Sequence, residues 1–294
     1  MLFQSHIGEL ASLLTAVCWT LSAIFFEKAG RRVGSLPVNI LRLFLAIVFL
    51  GVTTLFTRGM FFPKDATLYN WVWLGISGFI GFFLCDLFLF KSYTIIGSRT
   101  SQLVMSLAPM ITAVIGWFFL NEILSAKSIL GIVVSVSGIM IAVAGKGLKL
   151  NVPLHGFLYA LGGAAGQALG LILSQKGMGD YDAVAATQIR AIFGLFSFIL
   201  LITFLKRWRR VSRAVQDGVS LKSITMGAVF GPFIGVALSL YAVQHTETGI
   251  ASALMALVPI FIIVPTAFMF KEKITARQVI GAVISIAGAS IFFL

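Results

Sequence analysis

Asp86 is the residue of this sequence whose setting most strongly suggests chemistry. It is the one carboxylate well inside a long apolar run, and its neighbours at helical spacing include Phe79, Phe82 and Phe90. An ionised carboxylate is costly in lipid, so we expect Asp86 to be paired, protonated or exposed to a water-filled cavity. An acid in this setting can bind and release a proton. The alternative is that Asp86 caps its helix or pairs with Lys91.

Two arginines, Arg42 and Arg190, also lie inside apolar runs, at the same place in the two halves of the chain. Each guanidinium could hold a carboxylate or phosphate group from one side of a shared cavity. The alternative is that both side chains snorkel to the lipid headgroups, which requires no binding site. Asn39 and Gln188 stand close to them in sequence and are weaker candidates for the same site.

Two polar stripes at steps of three and four residues mark helix faces that should point away from lipid. The residues of the stripes are Ser12, Thr15, Trp19 and Ser22 in the first half, and Gly163, Gln167, Gly170 and Ser174 in the second. Helix packing explains the Ser and Gly positions. Trp19 facing Gln167 would offer a flat aromatic surface and an amide to a solute, and Tyr241 adds a further candidate hydroxyl.

Pro109 and Pro259 interrupt two apolar helices at equivalent points, beside Gln102 and Ser106 in the first case. Proline removes the hydrogen bond to the carbonyl four residues earlier, so each helix should bend. The bends could serve as hinges or be static.

The sequence contains none of the patterns that catalysis or a bound cofactor requires. It has no paired carboxylates, no HExxH motif and no phosphate-binding Gly-Lys-Ser/Thr loop, and its three histidines are scattered. Its two cysteines lie in apolar runs and should pack as small apolar residues. We therefore expect neither an enzyme, nor a metal or cofactor site, nor an ATP-driven pump.

The composition indicates a lipid environment. Of 294 residues, 59% are hydrophobic and 11% charged, with a mean hydropathy of +1.02, whereas roughly a quarter of a soluble domain is charged. The net charge of +12 fits cations at the ends of membrane spans, where they meet anionic headgroups, better than nucleic-acid binding. The expected partner surface is the bilayer.

The apolar runs predict ten membrane-spanning helices and hence an all-α integral membrane protein, since about 20 apolar residues cross the hydrocarbon layer. The first run lacks a basic leader and a cleavage site, so we expect it to be retained. The predicted spans are 7–26, 38–56, 69–90, 100–120, 128–144, 155–173, 183–205, 223–242, 249–270 and 277–294.

An internal repeat divides the chain into two modules, residues 1–148 and 149–294, which together form one unit. In the first module the repeated positions are Met105, Leu107, Pro109, Glu122, Ala126, Gly131, Ser135 and Gly138, and their counterparts are Met255, Leu257, Pro259, Glu272, Ala276, Gly281, Ser285 and Gly288. Five spans per module is an odd number, so the second module should enter the membrane inverted. Loop cations concentrate in the odd-numbered connections, which predicts that both termini lie outside.

The two modules, the mid-helix prolines and the Glu and Gly residues that follow them resemble the EamA-type branch of the drug/metabolite transporter superfamily. The resemblance covers the whole chain. It implies a ten-helix carrier of small metabolites, often an exporter, that works by alternating access in the cell's inner (plasma) membrane.

The sequence therefore predicts a secondary-active carrier of a small polar solute, such as an amino acid, with proton coupling through Asp86. An uncoupled facilitator and a membrane-embedded enzyme acting on lipid intermediates are the alternatives. The sequence leaves open the identity of the solute, the direction of transport and whether the chain forms a homo-oligomer.

Overall fold

The computed structural model describes residues 6–111, 114–115, 126–143, 152–246, 251, 254–271 and 274–293. Within these ranges the regular structure is helical and no strand occurs, which confirms the predicted all-α class. The α-helices are α1 (Ile7–Val33), α2 (Ser35–Arg58), α3 (Leu68–Gly78), α4 (Cys85–Met105), α5 (Ala126–Val143), α6 (Leu154–Met178), α7 (Ala183–Phe204), α8 (Trp208–Gln216), α9 (Gly218–Ala228), α10 (Val236–His245), α11 (Val258–Phe261), α12 (Ile263–Phe270) and α13 (Ala276–Phe293).

Six stretches of the described chain are long and apolar enough to cross a membrane: Ile7–Val33, Ser35–Arg58, Leu68–Met105, Leu154–Met178, Ala183–Phe204 and Gly218–His245. Three shorter apolar helices cover Ile129–Val143, Val258–Phe270 and Ala276–Ile291. These stretches correspond to nine of the apolar runs in the sequence, and the run 100–120 is described only at residues 100–111 and 114–115. Glu122 and Glu272 of the repeat also lie outside them.

Glycines and polar caps set several of the helix boundaries. Gly34 has φ +88° between α1 and α2, and Gly97 has φ +77° within α4, where it separates two helical segments. A positive φ is costly for residues with a Cβ, so glycine suits both breaks. Thr67 begins α3 with a capping box, because its hydroxyl accepts the Asn70 N–H while the Asn70 side chain accepts the Thr67 N–H.

Two segments of π-helix interrupt the apolar helices, Phe79–Leu84 between α3 and α4 and Val229–Gly235 between α9 and α10. They fall at the same place in the two halves of the sequence. The second contains Pro232, which cannot donate a backbone hydrogen bond. A π-helical turn displaces the residues after it around the helix axis and is frequent at functional sites.

The helices pack in pairs that join the two halves. Helix α1 lies against α9, the second π-helical segment and α10, while α6 lies against α3, the first π-helical segment and α4. Helix α2 contacts α7, and α5 contacts α13. The α5–α13 contact uses the repeated small residues: the Ser135 hydroxyl donates to the Ser285 carbonyl at 2.8 Å, and a Cβ on Gly281 would lie 2.5 Å from the Gly138 carbonyl oxygen.

Candidate functional site

A cavity of about 630 Å³ lies between the two halves of the helix bundle. Both π-helical segments contribute to its wall, and so do Pro109 and Pro259. Its aromatic lining includes Phe26, Phe82 and Phe90. The polar and charged residues along the wall are Trp19, Ser22, Arg42, Asp86, Tyr93, Gln102, Ser106, Gln167, Gln175, Arg190 and Ser239.

Asp86 forms a buried ion pair with Arg42 in the wall of this cavity. Asn39 supports the pair from behind: its side-chain oxygen accepts the Arg42 Nε–H at 3.0 Å, and its amide donates to the carbonyls of Ser35 and Asp86. The Arg42 guanidinium also lies 4.7 Å from the centre of the Phe90 ring. Lys91, the alternative partner for Asp86, is exposed.

Arg190 reaches the same cavity from the other half of the bundle. Its Nε is buried and has no hydrogen-bond partner among the residues that the structure describes. Its guanidinium lies 4.8 Å from the centre of the Phe82 ring, and a Cβ on Gly81 would come within 3.0 Å of its Nη2. Arg42 and Arg190 are only 3% and 5% exposed, so neither snorkels to the membrane surface.

The charges that face the cavity do not balance. Within the described part of the chain, its ionisable lining consists of the two arginines, Asp86 and the phenol of Tyr93. With Asp86 ionised, one positive charge remains in excess, and the Nε of Arg190 has no hydrogen-bond partner among the described residues. A small anionic group would satisfy Arg190 through the bidentate geometry that guanidinium groups favour.

The stripe residues Trp19 and Gln167 both line the cavity. Cys85 lies behind Gln167, with its Sγ 3.9 Å from the amide oxygen. A Cβ on Gly235 would lie 2.9 Å from Cδ1 of the Trp19 ring, so this glycine allows the second π-helical segment to approach the indole closely. The structure therefore brings together the aromatic surface and the amide that the sequence analysis paired.

Three of the candidate residues lie outside the cavity wall. Asn39 acts on the wall only through Arg42 and Asp86. The Gln188 amide donates to the carbonyls of Phe61 and Ile47, at 2.9 and 3.5 Å. Tyr241 stacks on His245 with ring centres 4.0 Å apart, in an apolar cluster around α7 and α10.

The sequence analysis did not single out Tyr93, Gln175 or Ser239. Tyr93 lies two helical turns after Asp86, and Gln175 lies about two turns after Gln167. Both can therefore be predicted by extending the helix faces that carry Asp86 and Gln167. Tyr93 accepts a hydrogen bond from the Gln102 amide at 2.7 Å, which ties the two segments of α4 together across the Gly97 break. In the described part of the chain no group of three metal-ligating side chains occurs.

A sequence profile of the EamA-like transporter family matches residues 6–144 and 154–294. The chain belongs to the EamA-like transporter family. Together with the apolar helices, this makes it a multi-pass integral membrane transporter, and its bacterial relatives indicate the inner membrane. The family profile therefore confirms the resemblance that the sequence suggested, and it matches once in each half of the chain.

Several EamA relatives are curated proteins. The chain is 23% identical to an uncharacterised transporter of Bacillus subtilis strain 168 named YetK, over 98% of this chain and 87% of the relative. It is 23% identical to a probable amino-acid metabolite efflux pump of Salmonella typhimurium, over 64% of each chain. One solved protein crystal structure shares the fold, with a TM-score of 0.64 and 16% sequence identity. The match covers 97% of this chain and 96% of that one.

Proposed function

We propose that this EamA transporter is a proton-coupled exporter of small amino-acid-like metabolites that works by alternating access. The observation that carries the proposal is the charge arrangement of the cavity, where a buried Arg42–Asp86 pair faces Arg190, whose Nε has no partner in the described structure. A volume of about 630 Å³ suits a metabolite of that size.

A zwitterionic solute complements this arrangement. Its carboxylate would bind the Arg190 guanidinium, and its ammonium group would bind Asp86, which uses Oδ2 for Arg42 and leaves Oδ1 as an acceptor. The indole of Trp19 and the ring of Phe82 would hold the apolar part of the solute, and the Gln167 amide would bind a polar substituent. The name of the Salmonella relative supports this class of solute and the outward direction.

Proton coupling follows from competition at Asp86. The ionised carboxylate binds an ammonium group, whereas the protonated carboxyl does not attract it. A proton that reaches Asp86 therefore releases the solute, and departure of the proton allows the next solute to bind. An inward proton gradient would then drive outward transport, because proton and solute occupy the site in turn.

The pairing of helices supports ten spans arranged as inverted repeats. Helix α1 packs on the second π-helical segment and the helices beside it, and α6, its equivalent in the other half, packs on the first π-helical segment and its neighbours. Helices α2 and α7, which are equivalent in the two halves, contact each other, and so do α5 and α13. A pseudo-two-fold axis between two inverted modules produces this pattern of contacts. The matching π-helical segments provide a second correspondence. Pro109 and Pro259, at the bends beside the cavity, are our candidates for hinges between the modules.

Counterflow of labelled solute in proteoliposomes tests the proposal. The panel would contain zwitterionic amino acids, their amides, which lack the carboxylate, and the matching carboxylic acids without the amine. We expect only the zwitterions to exchange well, and Arg190→Gln to weaken their binding by roughly tenfold or more through the loss of a charge-assisted contact.

The matched control is Arg209→Gln, which removes a cation from the exposed helix α8. Equal exchange by wild type, Arg190→Gln and the control would overturn the proposed binding role, and Arg190→Lys checks that a lost signal is not a folding defect. A facilitator would exchange the same solutes without any response to a proton gradient.

A further inference from the structure

Glu27 is a second buried acid, and the proposed transport chemistry does not use it. Its side chain is 1% exposed, and it directly follows Phe26, the last residue of α1 that lines the cavity. A carboxylate in such a position requires partners, because burial of an uncompensated charge is costly. The structure provides two partners, from different parts of the bundle.

The first partner of Glu27 is the backbone of the segment after Gly97. Glu27 Oε2 accepts the Ser98 N–H at 2.7 Å, at the start of the helical segment that continues to Met105. A negative charge at a helix start satisfies a free N–H and interacts favourably with the helix dipole. Glu27 thereby ties α1 to the second segment of α4.

The second partner is Arg31, one turn further along α1, which forms an ion pair with Glu27. The Arg31 guanidinium lies 4.9 Å from the centre of the ring of Phe270, the last residue of α12. A cation over an aromatic ring is attracted to it. The contact extends the connection from Glu27 to a third element.

These contacts lie at one end of the cavity. The chain runs from Asn70, near the start of α3, through the first π-helical segment to the break at Gly97. Asn70 donates to the carbonyl of Gly177 at 2.7 Å, near the opposite end of the bundle. An apolar cluster beside the cavity includes Ala23, Phe26, Phe90, Tyr93 and Ile262, and the first four of these line the cavity.

We propose that Glu27, Arg31, Ser98 and Phe270 form a latch that holds this end of the cavity closed and must open in each transport cycle. The inference rests on the proposed alternating access. Helices α1, α4 and α12 cannot separate at this end without breaking the Ser98–Glu27 hydrogen bond or the Arg31–Phe270 contact. Glu27 is therefore a positioning residue that biases which end of the cavity opens.

The two halves differ at this position. The repeat places Lys28 on Lys176, so the counterpart of Glu27 is Gln175, a neutral amide that lines the cavity. One end therefore has a charged latch, and the equivalent position at the other end has none. The Glu27 contacts therefore act at one end of the cavity only.

Hydrogen–deuterium exchange of the full chain in nanodiscs tests the latch without any need for transport. For Glu27→Ala we expect the amides at the start of the Ser98–Met105 segment to exchange at least about tenfold faster, through the loss of a charged hydrogen bond. For Glu27→Gln we expect a smaller increase, because the amide oxygen still accepts the Ser98 N–H while the ion pair with Arg31 is lost. Glu9→Gln, on the same helix near its start, is the matched control and should leave this segment unchanged.

The other end of the cavity separates a latch from a general loss of stability. If Glu27 sets the bias, exchange around Gly177 stays the same or slows in Glu27→Ala. Faster exchange at both ends, or no change at Ser98, overturns the latch. If the Glu27 variants show the expected exchange differences but the wild-type protein transports no solute, the proposed function is contradicted and the latch stands. If the wild-type protein transports solute but the variants show no exchange difference, the latch is contradicted and the proposed function stands.

Discussion

The two halves of this transporter each place an arginine in the cavity wall at equivalent positions, but the two arginines have different partners. Arg42 is held by Asp86 and Asn39, whereas Arg190 has an aromatic ring beside it and a buried Nε without a partner in the described chain. The repeat that matches Pro109 with Pro259 places Val236 at the counterpart of Asp86. The cation is present at this position in both halves, and the acid is present in only one.

This difference suggests a division of labour between equivalent positions. In the proposed mechanism, the half with the acid exchanges the proton, and the half without it binds the anionic group of the solute. A symmetric site with two ion pairs would attract an anion less strongly, because it would carry no excess positive charge. Variants that change the partner of either arginine therefore test the proposed mechanism most directly.

Arg42→Gln should have the largest effect on stability. It leaves Asp86 buried without its cation, which should lower the free energy of unfolding by about 3 kcal/mol at neutral pH. The loss should shrink in acid, where protonation of the carboxyl removes the buried charge. Arg190→Gln breaks no ion pair and should change stability much less. Reversible unfolding in mixed micelles at several pH values measures both.

The matched control for Arg42→Gln is Arg32→Gln, which breaks an Arg–Asp pair at the surface. Hydrogen bonds from Arg32 and Ser220 lower the pKa of Asp217 to about 2. Because this folded-state pKa is depressed, any stability from the pair is complete above the unfolded pKa of about 3.9 and is lost as the pH falls towards 2. Exposed pairs contribute little, so a loss in Arg32→Gln as large as that in Arg42→Gln would contradict the role of burial.

Gly281→Val tests a region where the halves have remained alike, the contact between α5 and α13. A Cβ there would lie 2.7 Å from the Cβ of Ala142 as well as close to the Gly138 backbone. We expect the two helices to be forced apart at a cost of about 2 kcal/mol, with little change in solute affinity. Unfolding and binding measurements on one preparation would show it, and Val283→Ala, on the exposed side of α13, is the control. A loss of affinity without loss of stability would contradict a purely structural contact.

Val236→Asp restores the missing acid and so removes the difference between the halves. Val236 lines the cavity and packs against the cluster that contains Ala191, the neighbour of Arg190. We therefore expect the new carboxylate to pair with the guanidinium and compete with the solute. We expect roughly tenfold weaker binding of zwitterionic solutes, the scale of one charge-assisted contact. Val236→Asn, of similar shape without the charge, should have a much smaller effect. Equal binding by both variants would remove Arg190 from the site.

The sequence predicts much of this arrangement because lipid constrains it strongly. Arg42, Asp86 and Arg190 stand out as charges in apolar runs, and the repeat places the two arginines at equivalent depths. The partner of Asp86 could not be predicted, since Lys91 is close in sequence and Arg42 is not. The prediction that Tyr241 lines the cavity could not take account of the rotation of its helix. Each residue turns a helix by about 100°, so a small error in rotation moves a side chain off the cavity face.

Two features could not be predicted for a different reason. No residue pattern separates the π-helical segments from ordinary apolar helix, although they shape both sides of the cavity. The predicted first span, 7–26, ends just before Glu27, because a span defined by apolar length stops at the first charged residue. The structure buries it instead, since Ser98 and Arg31 compensate its charge.

The most direct test of the account is solute-driven proton movement in proteoliposomes that contain a pH-sensitive dye, with wild type and Asp86→Asn run side by side. Asp86→Asn keeps the size and polarity of the side chain and removes the titrating group. We predict that zwitterionic amino acids drive proton movement opposite to their own flux in wild type. Asp86→Asn should abolish this movement and weaken exchange of labelled solute, because the neutral amide does not attract the ammonium group. Equal proton movement in both would show that Asp86 is not the coupling group, and solute flux without proton movement in wild type would make the protein a facilitator.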